Sequence, residues 1–392
     1  DTEFGLSVRH LHHLAEARHR FPPQCQGRHG DGQPADGRRR LSCAVRRPQG
    51  IQLWPARAGK LCPRVLHHRQ DELYRPLTRR TEEHDQPMTT RPYSGIWPVA
   101  PTPFTETGAV DDDGMRRVID CMIDQGCDGI CILANFSEQF LISDAERTHL
   151  TRLCLKHVDG RIPVIVTISH FATDIAVARA REAKKLGAAI VMMMAPYHGA
   201  LLKGNAQQTF EQFARVGEVG IPIMIQDAPL SGVELPVPLL ARMATEIEMV
   251  KLFKIESAGV ATKMRALLEA GGDAIEGPFD GEEAITLLAD LDAGATGSMT
   301  SGLIPDLIRP VITAHAAGDR DAAVAGYTRV LPVINHENRQ CGFRAAKAAM
   351  VEGGVIKSDF CRHPIDPLPA PTREELLGLM RPLDPIVLSW GR

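Results

Sequence analysis

The residues of this chain with the clearest chemical potential are Lys254 and Glu256, near the end of the apolar run 249–256. Side chains on a β-strand alternate between faces, so this spacing predicts that both share a face with Leu252. An amine in an apolar pocket loses solvation as a cation, so its pKa falls and it can condense with a ketone to a Schiff base. Glu256 could then act as a base, although its charge raises the lysine pKa and opposes the first effect. A lysine that extends to solvent in an ordinary ion pair is the alternative.

The elements that position these residues form a repeating pattern after residue 94. Eight short apolar runs, each followed by a helical pattern, span about 220 residues. The runs are 95–100, 129–134, 163–168, 189–194, 222–226, 249–256, 274–277 and 297–300. Apolar strands that alternate with helices predict a parallel sheet covered by helices, and eight units predict a closed α/β fold, the (β/α)8 TIM barrel. An open doubly wound sheet is the alternative, but no GxGxxG pattern follows the first run.

The predicted barrel occupies residues 88–318, and three further helical patterns in 319–392 are expected to pack on it. Residues 1–87 differ in composition, with 15 Arg and one Lys against ten acidic residues and no hydrophobic period. They can be interpreted as an arm for nucleic acid, a targeting peptide, or translation of GC-rich DNA upstream of a start at Met88. We favour the third interpretation and expect a basic, poorly structured extension.

Composition excludes several classes of function. The formal net charge is -3, and the basic segment 1–87 leaves an acidic remainder, so neither a nucleic-acid nor a membrane partner is expected. No run approaches the roughly 20 apolar residues that span a bilayer. None of the nine cysteines forms a CxxC pair or a cluster with zinc-ligand spacing. We therefore expect a cytoplasmic protein without a structural disulfide, a metal or another cofactor.

The chemistry of such a barrel lies at the carboxyl ends of its strands, and several polar residues follow the predicted strand ends. Gln226 ends the fifth run, where its amide could hold a substrate hydroxyl or a water in support of catalysis by Lys254 and Glu256, or could simply cap a loop. The expected substrate-binding residues are Asn135, Phe136, Ser137, Tyr197, His198, Gly281 and Ser298.

Each of these binding residues also has a plainer interpretation. The turn at 135–137 can grip a carboxylate through backbone N–H groups, or can be an ordinary turn before a helix. Tyr197 can relay a proton and His198 can titrate near neutrality, but either can be a loop or subunit-contact residue. Gly281 and Ser298 are small enough to let a ligand approach the backbone and are interpreted as pocket wall.

Residues 94 to about 385 resemble the dihydrodipicolinate synthase/N-acetylneuraminate lyase superfamily of class I aldolases. The matching segments occur in the same order as in that family. They are Thr102-Pro103-Phe104, Ala134-Asn135-Phe136-Ser137-Glu138, Arg161-Ile162-Pro163-Val164-Ile165, Pro196-Tyr197-His198 and Lys254. The resemblance implies that Lys254 is the lysine that forms the Schiff base.

Three departures point to a narrower branch. Gln226 stands where the family commonly has a catalytic tyrosine, Phe136 replaces the second threonine of its G-T-T-G-E element, and His198 replaces the second tyrosine of P-Y-Y. The usual Thr-Tyr-Tyr proton relay is therefore absent. The chain resembles the branch that dehydrates 2-keto-3-deoxy sugar acids in bacterial L-arabinose breakdown. That resemblance implies α-ketoglutarate semialdehyde as product and a homotetramer of barrels.

In the mechanism that we expect, Lys254 forms an iminium with the substrate. Glu256, directly or through a water held by Gln226, then removes a proton from C3. Two alternatives remain open at this stage. One is a retro-aldolase of the same family that releases pyruvate. The other is a non-catalytic barrel that senses a sugar acid and uses residues 1–87 as a nucleic-acid arm, which the acidic remainder disfavours.

Overall fold

The computed structural model describes residues 91–199, 201–228 and 231–392, so the expectations for 1–87 lie outside the described residues. The strands are β1 (Gly95–Ile96), β2 (Ile130–Ile132), β3 (Val164–Thr167), β4 (Ile190–Met194), β5 (Tyr197–His198), β6 (Leu202–Lys203), β7 (Ile223–Asp227), β8 (Val250–Ile255), β9 (Gly277–Asp280) and β10 (Gly297–Ser298). The helices are α1 (Asp112–Asp124), α2 (Asp144–Val158), α3 (Thr173–Lys185), α4 (Ala206–Gly217), α5 (Val237–Glu246), α6 (Val260–Gly271), α7 (Leu287–Asp292), α8 (Pro305–Ala316), α9 (Arg320–His336), α10 (Arg344–Glu352) and α11 (Ala370–Met380).

Eight strands form one parallel sheet in the order β1-β10-β9-β8-β7-β4-β3-β2. The sheet closes on itself because Val99, just after β1, bridges Cys131 of β2 on one side and Ser301 on the other. The strands β5 and β6 form a separate antiparallel hairpin after β4. The predicted (β/α)8 barrel with additional C-terminal helices is therefore confirmed.

The barrel has two apolar cores because alternate side chains of each strand point to opposite faces of the sheet. One core fills the barrel interior and includes Ile165, Met192, Met224, Leu252 and Phe279. The larger core lies between the strands and the surrounding helices. Leu252 belongs to the interior core, so Lys254, two residues further along β8, continues the same face at the carboxyl end.

Two strands, β1 and β9, differ from the sequence prediction by three residues or more at one or both ends. The predicted first run reaches residue 100, but β1 ends at Ile96. Pro98 has no N–H group to donate to a neighbouring strand. The predicted seventh run covers 274–277, whereas β9 starts at Gly277, because Gly272–Ala274 forms a 3-10 turn that extends α6. The strand continues to Asp280 because Phe279 fills the barrel interior.

The C-terminal helices hold the turn that follows β2. The amine of Lys347, on α10, pairs with the Glu138 carboxylate, and both side chains are completely buried. This amine also donates to the Phe360 carbonyl at 3.0 Å and lies 4.5 Å from the centre of the Phe104 ring. Loss of one partner of a buried pair leaves an uncompensated charge, so this contact fixes the turn firmly to the C-terminal segment.

No helix in the described part of the chain combines the length and the apolar character needed to cross a bilayer.

Candidate active site

Three of the predicted catalytic side chains meet at the carboxyl ends of β7 and β8. Lys254 is only 3% exposed, and its amine pairs with Oε1 of Glu256. The Gln226 amide donates to the same oxygen at 2.8 Å. The strand register explains the meeting, because Gln226 lies directly opposite Lys254. The opposite face of β8 carries Lys251, which pairs with Glu276 at 2.6 Å and takes no part in this cluster.

The structure decides which effect sets the pKa of Lys254. Burial favours the neutral amine, but the adjacent Glu256 carboxylate outweighs it, so the pKa of Lys254 is raised above its usual value. Lys254 is therefore held as an ammonium ion within an ion pair. Before it can attack a ketone, the amine must pass a proton to a neighbouring base, and Glu256 lies in direct contact to accept it.

Gln226 presents a second polar atom to this region. Its Oε1 is buried and accepts no hydrogen bond from any residue that the structure describes. A buried amide oxygen without a donor is uncommon because desolvation without a hydrogen bond is unfavourable by ~1–3 kcal/mol. A substrate hydroxyl or a water at this atom would satisfy it.

Gly281 is packed directly against the lysine and its carboxylate. A Cβ atom at this position would come within 2.7 Å of Cγ of both Lys254 and Glu256. Any larger residue would displace the pair, so the predicted small wall residue is required by close packing.

Ser298 faces away from the amine and supports the loop after β9. Its hydroxyl donates to Asp280 at 2.6 Å. Asp280 in turn accepts the backbone N–H groups of Glu282 and Ala284 at 3.1 Å and 3.0 Å. Ser298 therefore affects the site indirectly, because it helps to hold the conformation of the loop after β9.

The predicted carboxylate-binding turn forms a short 3-10 helix at Asn135–Ser137. Ser137 serves the turn itself, because its hydroxyl donates to the Ala100 carbonyl at 2.7 Å and accepts the Ala134 N–H. The backbone N–H groups of Asn135 and Phe136 donate to no acceptor among the described residues. Two adjacent free N–H groups at a helix start are suited to an anion.

Tyr197 and His198 form β5, in the hairpin that follows β4. Both line a cavity of about 420 Å³ beside Arg147 and Arg179, and neither Lys254 nor Gln226 lines it. His198 is exposed and packs against the Phe171 ring. Burial raises the pKa of Tyr197, which keeps its hydroxyl protonated at neutral pH. Among the described residues, neither side chain forms a hydrogen bond with the Lys254 amine, whose partner is Glu256, so a role for either in proton transfer at Lys254 remains a prediction.

Sequence reasoning missed two carboxyl groups near this end of the barrel. Glu283 follows β9 and lies within electrostatic range of Lys254. Glu337 lies in a single π-turn after α9 and is 2% exposed, and Ser301 donates to it at 2.5 Å. Burial raises the pKa of Glu337 to about 7. The position of Glu283 shortly after a predicted strand end could have indicated a site residue. No local sequence pattern marks Glu337.

Glu337→Gln is expected to stabilise the protein above neutral pH. The pKa is about 7 in the folded protein and roughly 4.3 in an unfolded chain, so the protonated carboxyl favours folding below pH ~4.3 and this stability is lost as the pH rises through 7. The full loss is about 4 kcal/mol. The melting temperature of the variant should exceed that of the wild type at pH 8, and the difference should be smaller at pH 5. Glu374→Gln, at an exposed position, is the control. An equal difference in melting temperature at both pH values would contradict titration of Glu337 as the cause.

Comparisons with known proteins identify the family of the chain. Residues 92–381 match the Dihydrodipicolinate synthetase family. The chain belongs to this family. An L-2-keto-3-deoxyarabonate dehydratase from Azospirillum brasilense is 58% identical over 304 residues, which cover 77% of this chain and 98% of that protein. The chain is therefore an enzyme of the dihydrodipicolinate synthetase family.

More distant members of the family show the same architecture. A 4-hydroxy-tetrahydrodipicolinate synthase from Kineococcus radiotolerans is 31% identical over 304 residues, covering 75% of this chain and 92% of that protein. The crystal structure of a dihydrodipicolinate synthase from Rhodopseudomonas palustris superposes with a TM-score of 0.68 at 25% identity, covering 74% of this chain and 97% of that one. The barrel is thus the common scaffold of the family.

Proposed function

We propose that this enzyme dehydrates L-2-keto-3-deoxyarabonate to α-ketoglutarate semialdehyde and water through a Schiff base on Lys254. One observation carries the proposal: a buried amine lies in contact with a carboxylate and beside an amide with a free oxygen, at the carboxyl end of the barrel strands. The substrate is taken from the dehydratase that is 58% identical to this chain. The substitution of Gln226 for the usual tyrosine agrees with a departure from dihydrodipicolinate synthesis.

The reaction starts with a proton transfer inside the ion pair. Lys254 gives a proton to Glu256, and the free amine attacks the C2 carbonyl of the keto acid. Glu256 returns this proton to the hydroxyl of the adduct, which leaves as water, so that an iminium forms and Glu256 is a carboxylate again. The iminium draws electrons from C3 and makes its proton acidic. The buried setting helps this step because bulk water competes poorly for the amine.

Glu256 is also the base for the second step. As a carboxylate it removes a proton from C3 of the iminium, and the resulting enamine expels the C4 hydroxyl. Gln226 assists by holding Glu256 through its amide N–H, while its free Oε1 accepts a hydrogen bond from a substrate hydroxyl or from a water that relays the proton.

The substrate carboxylate would bind at the turn after β2. The free N–H groups of Asn135 and Phe136 can each donate to one of its oxygens. The turn is held rigidly for this task, because Thr102 donates to the Ser137 carbonyl at 2.8 Å and Lys347 anchors Glu138. Such fixed donors orient the keto group toward the amine.

Product analysis tests the proposed reaction against its nearest rival. Purified enzyme incubated with L-2-keto-3-deoxyarabonate is expected to yield α-ketoglutarate semialdehyde, detected by NMR or by coupled oxidation to α-ketoglutarate. A retro-aldolase would instead break C3–C4 and release pyruvate with glycolaldehyde. Detection of pyruvate and glycolaldehyde as the main products would refute the dehydratase.

We also propose that the enzyme is a cytoplasmic homotetramer. Leu201, in the loop between β5 and β6, is 89% exposed, and Phe140 and Phe171 expose large apolar surface as well. A second copy of the chain would cover this surface. The described cysteines are unpaired and buried, which suits a reducing compartment. Light scattering during size exclusion should give four times the chain mass, and a single-chain mass would exclude the assembly.

A further inference from the structure

The carboxyl group of Glu283 lies near Lys254. The proposed mechanism assigns it no role. Glu283 follows Gly281 by two residues, and Gly281 is in packing contact with Lys254 and Glu256. The side chain is half-buried. It forms no ion pair and no side-chain hydrogen bond with any residue within 91–199, 201–228 or 231–392. A carboxyl group near two charged residues but bound to neither is available to a ligand.

The backbone holds Glu283 in an unfavourable conformation. Its φ is +50° and that of Ala284 is +67°, both in the left-handed region. Residues other than glycine are destabilised in this region because the Cβ atom crowds the backbone. Asp280 maintains the conformation by accepting the N–H groups of Glu282 and Ala284, and Ser298 holds Asp280. Backbone strain that is maintained by a buried hydrogen-bond network is characteristic of residues positioned for function.

The surroundings of Glu283 favour its protonated form. Burial is the largest effect, and the nearby charge of Lys254 opposes it, but Glu256, Glu337 and Asp280 add negative charge. Together they raise the pKa of Glu283 well above its usual value. Glu256 has the opposite environment, because it is in direct contact with the Lys254 ammonium ion. Two carboxyl groups with such different environments can act as an acid and a base in one site.

We propose that Glu283 is the general acid that protonates the departing C4 hydroxyl. The inference rests on the proposed dehydration and assigns to a second residue a task that Glu256 would otherwise have to perform. Glu256 carries the C3 proton at that moment. A separate acid allows the C4–O bond to break without waiting for this proton to move.

In this step the proton of Glu283 passes to the C4 oxygen and the C4–O bond breaks. The two electrons of that bond stay on the oxygen, which leaves as water. The enamine electron pair becomes the C3–C4 double bond and regenerates the iminium. Glu283 is left as a carboxylate and, because it is half-buried rather than sealed, it regains a proton from solvent before the next cycle.

Deuterium exchange separates the acid from the base. In D2O the C3 proton of the substrate exchanges whenever the enamine forms, and NMR measures this independently of dehydration. Glu283→Gln is expected to keep C3 exchange near the wild-type rate while dehydration falls ~100- to 10,000-fold. Glu283→Asp should recover part of the rate. Glu282→Gln, the adjacent position, should leave both rates unchanged.

A substrate with a better leaving group provides a second readout. The analogue with fluorine in place of the C4 hydroxyl loses fluoride without needing a proton, so Glu283→Gln should eliminate fluoride at close to the wild-type rate. Loss of C3 exchange in this variant, or an equal defect on both substrates, would overturn the acid role. Full dehydration activity in the variant would overturn it as well. Failure of the proposed function itself would look different, since the wild type would then not dehydrate the keto acid.

Discussion

Lys254→Ala should abolish dehydration and, at the same time, the adduct that borohydride traps between enzyme and keto acid. The proposed reaction has no route without the amine, because the iminium is what acidifies C3. Turnover should therefore fall below detection in a product assay. Intact mass spectrometry after reduction should show only unmodified protein, whereas the wild type gains the mass of the bound acid.

Lys251→Ala is the matched control for this variant. It removes a lysine from the same strand, but from the outward face, where the amine pairs with Glu276. We expect the trapped adduct and the turnover of this variant to equal those of the wild type. Residual dehydration by Lys254→Ala at a tenth of the wild-type rate or more would exclude an obligatory Schiff base at that position.

Glu256→Gln should separate the formation of the adduct from dehydration. The amide keeps the size of the side chain and can still accept from Gln226, but it cannot remove a proton from C3. Dehydration is expected to fall ~100- to 10,000-fold, with trapping retained. Loss of the carboxylate also lowers the pKa of Lys254, because burial then acts on the amine with less opposing negative charge. Trapping should therefore extend to lower pH than in the wild type.

The measurements for this variant are the rate of semialdehyde formation and the yield of reduced adduct across pH 5 to 9. Glu276→Gln, which removes the carboxylate partner of Lys251 on the outer face, is the control. Unchanged turnover in Glu256→Gln would remove Glu256 as the base. Loss of both trapping and turnover would instead assign it to formation of the iminium.

Periodicity predicted most of the fold because barrel strands are apolar runs at regular spacing between helices. The pairing of Lys254 with Glu256 followed from strand alternation alone. The boundary of β9 could not be predicted in this way. The run at 274–277 has the composition of a strand, and only the turn that ends α6 and the packing of Phe279 move the strand to Gly277–Asp280.

The remaining features of the site depend on contacts between distant segments. Glu337 approaches Ser301 from a helix after the barrel, and Lys347 reaches Glu138 across more than half of the described chain. No local pattern records such contacts. Tyr197 was correctly placed near a strand end. However, the sequence does not show which neighbours a side chain at the rim has, and Tyr197 lines a cavity together with Arg147 and Arg179.

The most direct test of the central claim is to locate the covalent bond. Wild-type enzyme should be mixed with L-2-keto-3-deoxyarabonate, reduced with borohydride, digested and mapped by mass spectrometry. We expect the peptide that contains Lys254 to gain the mass of the keto acid, or of its dehydrated form, less one oxygen atom. A reduced adduct on Lys251 or on any other lysine, or turnover without any trapped adduct, would contradict the account.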